Sequence, residues 1–359
     1  MGIKMSSRVS IIINNYNYDR FLNEAIASAL SQTYLQTEVI VVDDGSTDCS
    51  REIIASYGDR IIPVLKENGG QASAFNAGFA ISQGEIVLFL DSDDVLLPHI
   101  TQQVVEAFQQ QPDVVKVQYQ LQIIDGDGHK AAKIIPESRY MPSGNLRSHI
   151  VKFHSYGCPP TSGNAFSAAA LRRLLPMPEA EYRIVADEYI NNLVPLLGDI
   201  VSLHQVGALY RMHGNNNFCK PIEGMEEPER LRRNLQINLE TRDRQKALFN
   251  KLYSPPLQNI GAWEIAYLKT RVTSLKLDPY NHPLPTDRLL PLCLRGCIAA
   301  FISPYMRLRG RCLFIFWFLV MSVIPVSKAK SFTEILLYPE ERQRLVEKII
   351  HRFRPAVEV

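Results

Sequence analysis

Two stretches decide the fold of this chain: Val39-Ile40-Val41-Val42-Asp43-Asp44-Gly45-Ser46 and Ile86-Val87-Leu88-Phe89-Leu90-Asp91-Ser92-Asp93-Asp94. In each stretch an apolar run of strand length ends in a cluster of carboxylates. Continuous apolar runs of this kind indicate strands that are buried on both faces of a parallel sheet. The carboxylates then lie at the carboxyl edge of the sheet, where open α/β folds bind ligands. Such a cluster suits a divalent cation, and a cation suits a phosphate-bearing ligand.

The amino-terminal part of the chain alternates between predicted strands and predicted helices. Further strands are expected at Val9–Ile13 and Arg60–Lys66, and a helix is expected at Gln71–Ser82. The side chain of Asp19 is expected to cap the first helix, and that of Ser46 or Thr47 the second. Strand–helix–strand units of this length predict right-handed crossovers. The expected fold is therefore α/β, with a doubly wound, mostly parallel sheet.

Six segments follow one another in a recognisable order. They are Val9–Asn17, Val41–Asp48, Asn68–Gly78, Gly84–Asp94, Ala186–Tyr189 and Tyr210–Asn215. Together they resemble the family 2 glycosyltransferases, which have the A-type nucleotide-sugar transferase fold. The likeness covers roughly residues 8–215. Each segment alone is a weak signal, but the ordered set is specific.

The resemblance implies an enzyme that moves a sugar from a nucleoside diphosphate to a hydroxyl of a glycan or lipid-linked acceptor, with inversion at the anomeric carbon. A UDP-sugar is the favoured donor because it prevails in the family, and cell-surface polysaccharide or glycolipid synthesis is the expected setting. The implied nucleotide-sugar-binding residues are Asn15, Asp43, Asp44, Asn76 and Asp91. Within that set, Asp91 would contact the ribose, or the metal through water. Either Asp43 or Asp44 would accept a hydrogen bond from the base ring.

The expected chemistry gives roles to three further side chains. The nucleoside diphosphate gains negative charge as it leaves, and bound Mn²⁺ or Mg²⁺ stabilises that charge. Asp93 is the expected metal ligand, and His213 is expected to complete the metal or diphosphate site as a neutral imidazole. The acceptor hydroxyl must lose its proton to a carboxylate within hydrogen-bond reach. Asp187 is the expected base.

Two other functions remain open. A sugar-phosphate nucleotidyltransferase shares the sheet topology and the metal, but it is expected to begin with a glycine- and arginine-rich phosphate loop, which Asn14–Asp19 is not. The second is a degenerate transferase that acts as a binding subunit. Phe75 stands where the family usually has a basic residue, and Ala186 stands where it more often has Glu. A dinucleotide-binding fold is disfavoured because the first strand leads into a loop without the glycine fingerprint, and the chain has no Gly-Lys-Ser/Thr phosphate loop.

Two loops complete the catalytic segment. Asp125–Gly128 is predicted to be a hairpin turn because Asp-Gly pairs favour tight turns. Gly157–Asn164 is bounded by proline and glycine, and it is expected to line the acceptor pocket or to serve as scaffold.

Composition limits the class of protein and its compartment. The chain has 359 residues and a formal net charge of +2, so it is not a nucleic-acid binder of the usual strongly basic kind. Its six cysteines have no paired zinc spacing. The first apolar run is too short for a signal peptide. A reducing cytoplasm is therefore the expected location.

The chain changes character after about residue 220. The expected division is a catalytic domain at 1–220, a helical extension at 221–287 and a basic, apolar segment at 288–359. Between Arg288 and Thr333 there are five arginines, two lysines and no acidic residue. The apolar run Cys312–Ser327 is, as a helix, shorter than the roughly 30 Å hydrocarbon core. The segment is expected to lie on an anionic membrane surface at the cytoplasmic face. A helix buried against the catalytic domain is the alternative.

Overall fold

The structure is a computed structural model that describes residues 7–137, 140–214, 227–304 and 306–337. Its strands are β1 Val9–Asn15, β2 Thr37–Asp44, β3 Ile62–Lys66, β4 Ile86–Asp91, β5 Val95–Leu96, β6 Val114–Ile124, β7 Lys130–Ile135, β8 Asn164–Ser167 and β9 Asp199–Arg211. Its helices are α1 Asp19–Leu30, α2 Ser50–Ser56, α3 Gln71–Ile81, α4 Ile100–Gln110, α5 Arg147–Phe153, α6 Ala168–Leu171, α7 Ala186–Leu193, α8 Glu227–Leu252, α9 Ile265–Leu277, α10 Leu289–Ile302, α11 Leu308–Val323 and α12 Val326–Leu337.

The described strands form one mixed sheet in the order β3-β2-β1-β4-β8-β6-β9-β5, with β7 paired to β6. β1 pairs in parallel with β2 on one side and with β4 on the other. β8 then runs antiparallel between β4 and β6, and β9 returns parallel to β6. The four strands from β3 to β4 are the predicted doubly wound sheet, and the predicted α/β fold is confirmed.

Apolar side chains alternate between the two faces of this sheet, as the two-residue period of a strand requires. On β1, Ile11 and Ile13 belong to the core shared with α1 and α4. Ile12, between them, belongs to the core that α3 and α7 cover on the other face. Because helices cover both faces, β1, β2 and β4 are built around apolar runs, and each of these three strands ends in polar residues at its carboxyl end.

The first two helices cap each other through a pair of aspartates. The N–H of Asp19, the first residue of α1, donates to Asp48 Oδ2 at 2.9 Å, and the N–H of Cys49 donates to Asp19 Oδ2 at 3.2 Å. The predicted caps are therefore wrong. Asp19 bonds the start of the neighbouring helix instead of its own, and Ser46 and Thr47 lie in the loop ahead of α2.

The predicted hairpin turn at Asp125–Gly128 is confirmed. It joins the antiparallel strands β6 and β7. Asp125 Oδ1 accepts from the N–H groups of Asp127 and His129, each at 2.9 Å. The Asp125 side chain is therefore used to shape the turn.

By their internal contacts, the described residues form two units. The sheet unit comprises the described residues up to 214 together with Thr241–Ala262, and the helical unit comprises residues 227–240 and the described residues from Trp263 onward. The boundaries from sequence, 220/221 and 287/288, differ from this division. Residues 241–262 belong to the sheet unit because their polar side chains bond the rest of it. Gln245, for example, donates to the carbonyl of Asn192 at 2.7 Å.

The helical unit has its own apolar core. Trp317, Phe318 and Met321 of α11 are buried together with Leu268 of α9 and Leu292 of α10. The apolar run predicted at 312–327 is thus buried along one side only. No helix in the described part of the chain has both the length and the apolar character needed to cross a bilayer.

Candidate active site

The carboxyl ends of β1, β2 and β4 meet at the point where the strand order reverses. In the parallel register, Asn15 pairs with Asp43 and Asn14 pairs with Asp91. The crossover from β1 leads to β2 on one side, and the crossover from β3 leads to β4 on the other, so the loops that follow β1 and β4 border a crevice at this edge. The structure therefore brings the two acidic clusters of the sequence together.

The Asp43 carboxylate is buried and bound from three directions. Asn15 Nδ2 donates to Oδ1 at 3.1 Å, while the Ser46 N–H and Arg51 Nε donate to Oδ2 at 3.1 and 2.8 Å. Burial opposes ionisation, but the hydrogen bonds from Ser46, Arg51 and Asn15 hold the pKa of Asp43 below its usual value. Asp43 is therefore a charged anchor, and Arg51 links it to the surface.

Asp44 binds the loop that precedes α3. Lys66 Nζ and the Gly69 N–H donate to Oδ1 at 2.6 and 2.9 Å, and the Gly70 N–H donates to Oδ2 at 2.7 Å. Gly70 has φ of 90°, a conformation that glycine adopts without steric cost. Both oxygens of Asp44 are thus engaged within the protein, and they fix the position from which Gln71 starts α3.

Asp91 lies at the centre of a polar network. Asn14 Nδ2 and Gln71 Nε2 donate to its Oδ1 at 2.9 and 3.3 Å. The Asp91 N–H donates to Ser162 Oγ at 3.1 Å. Ser162 belongs to the loop at 157–164, so this loop supports the acidic strand end, in line with the scaffold role proposed from sequence.

The end of β9 holds the acidic turn after β4. The Arg211 N–H donates to Asp94 Oδ1 at 2.9 Å, and Arg211 Nε donates to the Asp93 carbonyl at 2.8 Å. Two residues further on, His213 Nε2 lies 3.1 Å from Asp93 Oδ2. The two predicted metal ligands, 120 residues apart in the chain, are therefore neighbours.

Carboxylates crowd this crevice, and their pKa values are raised. Burial, and after it the charge of Asp93, raises the pKa of Asp91 to about 6. Burial likewise raises the pKa of Asp93 to about 6. Burial, followed by the charges of Asp93 and Asp91, raises the pKa of Asp94 well above its usual value. The Tyr18 hydroxyl is close enough to be affected by these charges: burial, and after it the charge of Asp93, raises the pKa of Tyr18. Such an excess of negative charge favours a bound cation.

Asp187 lies in the first turn of α7, within electrostatic reach of Asp91. Burial, and then the charge of Asp91, raises the pKa of Asp187 to about 6. The buried Lys116 on β6 acts in the opposite direction. Its Nζ donates to Tyr156 Oη and Asn191 Oδ1, both at 2.7 Å. A carboxylate with a pKa close to neutrality is suited to removing a proton from a hydroxyl.

A strained residue fixes the start of α7. Val185, which precedes the helix, has φ of 63° and ψ of 42°. This left-handed conformation is a genuine outlier for a β-branched residue, and such strain is concentrated at functional sites. The next N–H, of Ala186, donates to Gln71 Oε1 at 2.9 Å. Gln71 therefore bridges Asp91 and the helix start that carries Asp187.

Asn76 has its amide engaged by a different segment. Its Nδ2 donates to the Met177 carbonyl at 2.9 Å and to Glu179 Oε1 at 3.1 Å, and its Oδ1 accepts from the Met177 N–H at 2.9 Å. These bonds hold residues 177–179 against α3.

Seven other predicted residues lie along the crevice edge: Asn15, Asp43, Asp44, Asp91, Asp93, Asp187 and His213.

Four residues of the site were not identified from the sequence. They are Tyr18, Gln71, Lys116 and Arg211. Lys116 carried a usable signal, because a single cation inside the apolar run 114–117 must be paired when it is buried. Gln71 and Arg211 lie inside segments that already marked the site, but their partners are remote in sequence. Nothing in the sequence distinguished Tyr18 from a surface tyrosine.

The site meets part of what a divalent cation requires. Within the described ranges, no three His, Cys, Asp or Glu side chains are grouped closely enough to form a complete cage. The 3.1 Å between Asp93 Oδ2 and His213 Nε2 matches the roughly 3 Å between adjacent ligands of an octahedral cation. Asn14 Oδ1 and Asp94 Oδ2 are buried acceptors that bond no other described residue. The residues fit a cation that Asp93 and His213 hold on one side, with substrate phosphates on the other.

Known proteins resemble this chain in sequence. The model of glycosyl transferase family 2 matches residues 10–174. An uncharacterized glycosyltransferase of Nostoc sp. is 42% identical over 227 residues, which cover 62% of this chain and 70% of the relative. This chain belongs to glycosyl transferase family 2. An uncharacterized glycosyltransferase of Rickettsia prowazekii is 40% identical over 157 residues, covering 43% of the transferase described here and 49% of the relative.

Solved structures share the fold of this family 2 transferase. TarS 1–349 from S. aureus, in complex with UDP, superposes with a TM-score of 0.53 at 16% identity, covering 92% of this chain and 91% of TarS. The same protein in complex with UDP-GlcNAc gives the same values. At this identity the likeness concerns the fold alone. It confirms the predicted A-type transferase fold.

The bridge made by Gln71 gives a testable expectation for this transferase. Gln71→Met keeps the size of the side chain but removes both hydrogen bonds, so Asp187 is no longer held in register with Asp91. We expect turnover to fall roughly 10- to 100-fold, since small misplacements cost that much, while affinity for the nucleotide-sugar donor changes little. Steady-state kinetics and calorimetry separate the two quantities. Gln36→Met, at an exposed position, is the control. An equal loss of affinity for the nucleotide-sugar donor would place Gln71 in the donor site instead.

Proposed function

We propose that this transferase is an inverting, metal-assisted enzyme that moves a sugar from a UDP-sugar to a hydroxyl acceptor. The observation that carries the proposal is the convergence of Asp91, Asp93 and Asp187 on one crevice, where Gln71 ties the first to the helix of the third. The proposed reaction needs one carboxylate to bind the metal that activates the donor and another to accept the proton of the acceptor hydroxyl.

The donor is proposed to lie along the carboxyl edge of the sheet. A surface pocket of ≈ 520 Å³ beside β2 and β3 suits the nucleobase; it is lined by Gly45, Ser46, Arg51, Leu65, Lys66, Glu67 and Asn68. Asp43 lies directly behind Arg51 in this pocket. Uridine is proposed because the related fold of TarS binds UDP and UDP-GlcNAc. The diphosphate would then extend toward Asp93.

The diphosphate end is proposed to meet Asp93 and His213, which would hold Mn²⁺ or Mg²⁺. When bound, that cation neutralises the charge that develops on the leaving nucleoside diphosphate. Asp93 is itself positioned by Arg211, which binds its carbonyl. His213 is kept in place by the rings of Tyr18 and Phe21, whose centroids lie 5.5 and 4.9 Å from its own. The chain thus presents a preorganised pair of ligands.

The acceptor hydroxyl is proposed to lose its proton to the Asp187 carboxylate. Its pKa of about 6 leaves Asp187 ionised at neutral pH and still basic enough to accept a proton. Lys116 stabilises the ionised form from behind. A single attack from the side opposite the leaving group inverts the anomeric carbon. We propose a glycan or lipid-linked acceptor, used in cell-surface polysaccharide or glycolipid synthesis at the cytoplasmic face of a membrane.

A donor panel tests the proposal. The purified full chain is incubated with UDP-, GDP- and dTDP-sugars and Mn²⁺, and release of nucleoside diphosphate is measured. We expect slow release from a UDP-sugar even without acceptor, and NMR of the transfer product should show an inverted anomer. Pyrophosphate formation from sugar phosphate and UTP would instead support a nucleotidyltransferase. UDP binding without any turnover would support a degenerate binding subunit, for which Phe75 and Ala186 are the sequence arguments.

A further inference from the structure

Helices α10 and α11 form an antiparallel hairpin within the helical unit. Cys297 lies against the carbonyl of Ile315, and the ring of Phe318 fills the space that a side chain at Gly296 would need. At the tip of the hairpin, Arg311 donates to the carbonyls of Ser303 and Met306. The buried sides of both helices contribute to the same core.

The opposite side of α10 carries an exposed apolar stripe. Leu290, Leu294, Ile298 and Phe301 are exposed by 66%, 64%, 42% and 68%. Their spacing of four, four and three residues places them within one narrow sector of the helix, since successive residues turn by about 100°. The buried Leu292 and Ala299 lie on the other side.

Helix α11 repeats the same pattern. Its stripe consists of Leu308, Cys312, Phe316, Leu319 and Val323, all exposed. The spacing of four, four, three and four residues again gives one narrow sector, opposite Trp317 and Met321. Because both stripes lie opposite the residues that enter the common core, they share the outer side of the hairpin. Soluble monomers rarely leave so long an apolar surface uncovered.

Cations surround these stripes. The exposed ones are Arg288, Arg295, Arg307, Arg309, Lys328 and Lys330. Arg307 and Arg309 lie at the tip of the hairpin, whereas Arg288 and the two lysines lie toward its base. The nearest acidic residue before the hairpin, Asp287, is buried and paired with Arg271 and His282. An apolar centre with cations at both ends is complementary to acyl chains beneath anionic headgroups.

We propose that the outer side of the α10–α11 hairpin, which carries the two apolar stripes, is a docking face that lies flat on an anionic lipid bilayer. A second copy is a poorer occupant, because pairing two such faces brings cations against cations. The inference deepens the membrane location in the proposed function. It rests on the helical unit alone, so donor turnover measured in parallel keeps a failure of docking distinct from a failure of the activity.

The test uses the full chain and sedimentation with vesicles of phosphatidylcholine, with or without an equal part of phosphatidylglycerol. Leu294→Glu/Leu319→Glu should weaken binding to the anionic vesicles roughly tenfold or more, because two exposed leucines no longer enter the lipid. Leu35→Glu, at an 89% exposed position of the sheet unit, should bind as the unsubstituted chain does. Thermal melting checks that each variant is folded.

A second pair of variants tests the charges. Arg307→Glu/Arg309→Glu should lower anionic-vesicle binding at least tenfold at low salt, whereas Arg172→Glu/Arg173→Glu, also exposed, should not. High salt should release the unsubstituted chain only in part, because salt screens the cations but not the apolar contacts. The proposal is overturned if the full chain stays in the supernatant at low salt, or if both hairpin variants bind normally. A dimer in solution that the leucine variant converts to monomer would show that a second copy covers the face instead.

Discussion

Asp93→Asn should weaken Mn²⁺-dependent binding of UDP by roughly 100-fold or more. The substitution keeps the shape of the side chain but removes the charge that faces His213 Nε2 at 3.1 Å. Loss of even an outer-sphere partner of a metal costs 10- to 100-fold in affinity, and a direct ligand is worth at least as much. Calorimetry with UDP and Mn²⁺ measures the change.

Two controls make the result specific to the metal. Asp59→Asn removes an exposed carboxylate of the same unit and should leave affinity unchanged. Addition of a chelator to the unsubstituted chain should reproduce the effect of Asp93→Asn. Undiminished UDP binding in chelator would remove the metal from the proposal, even if Asp93→Asn were impaired.

Asp187→Asn should lower turnover by roughly 10² to 10⁴ while UDP affinity stays near its original value, because that range is the usual worth of a positioned base. Glu188→Gln is the matched control, since Glu188 is the next residue in the first turn of α7. Single-turnover kinetics and UDP titration give the two quantities. If Glu188→Gln carried the large loss, the base would be Glu188. If Asp187→Asn abolished UDP binding, Asp187 would belong to the donor site.

The same residue sets an expected pH dependence. The pKa of Asp187 is raised to about 6, first by burial and then by Asp91. A base must be deprotonated to act, so turnover should decline as pH falls through about 6 and should level off above it. At saturating Mn²⁺ and donor, which keep the metal-site carboxylates Asp91 and Asp93 ionised, the acid limb should be absent from the residual activity of Asp187→Asn. A limb that persists in this variant would assign the titration to another group.

Sequence reasoning succeeded where local pattern decides structure. The apolar runs before Asp43 and Asp91 predicted buried parallel strands. In a parallel sheet the carboxyl ends of all strands lie at the same edge, so the two acidic clusters had to meet there. The turn at 125–128 was equally local. In contrast, the capping prediction at Asp19 failed because its carboxylate bonds the start of α2, which lies 30 residues away.

The rest of the site depends on contacts that no local pattern encodes. Gln71 reaches Ala186 across 115 residues, and His213 reaches Asp93 across 120. Asn76 sits in a segment that marks the site, yet its amide holds Met177 and Glu179. A residue's place in a family segment thus predicted that it lies near the site. The role of its side chain became clear only from the residues around it in the folded structure.

The pairing of β9 with β6 affects how the chain folds during synthesis and how far it can be truncated. The acidic turn that contains Asp93 and Asp94 is translated more than a hundred residues before its partner Arg211. During synthesis that turn therefore cannot be fixed in its final position until the chain has grown past Arg211. A fragment cut to the family match at 10–174 would keep most of the parallel strands and still lose Asp187, Arg211 and His213. The shortest piece worth expressing as an enzyme must run beyond that match.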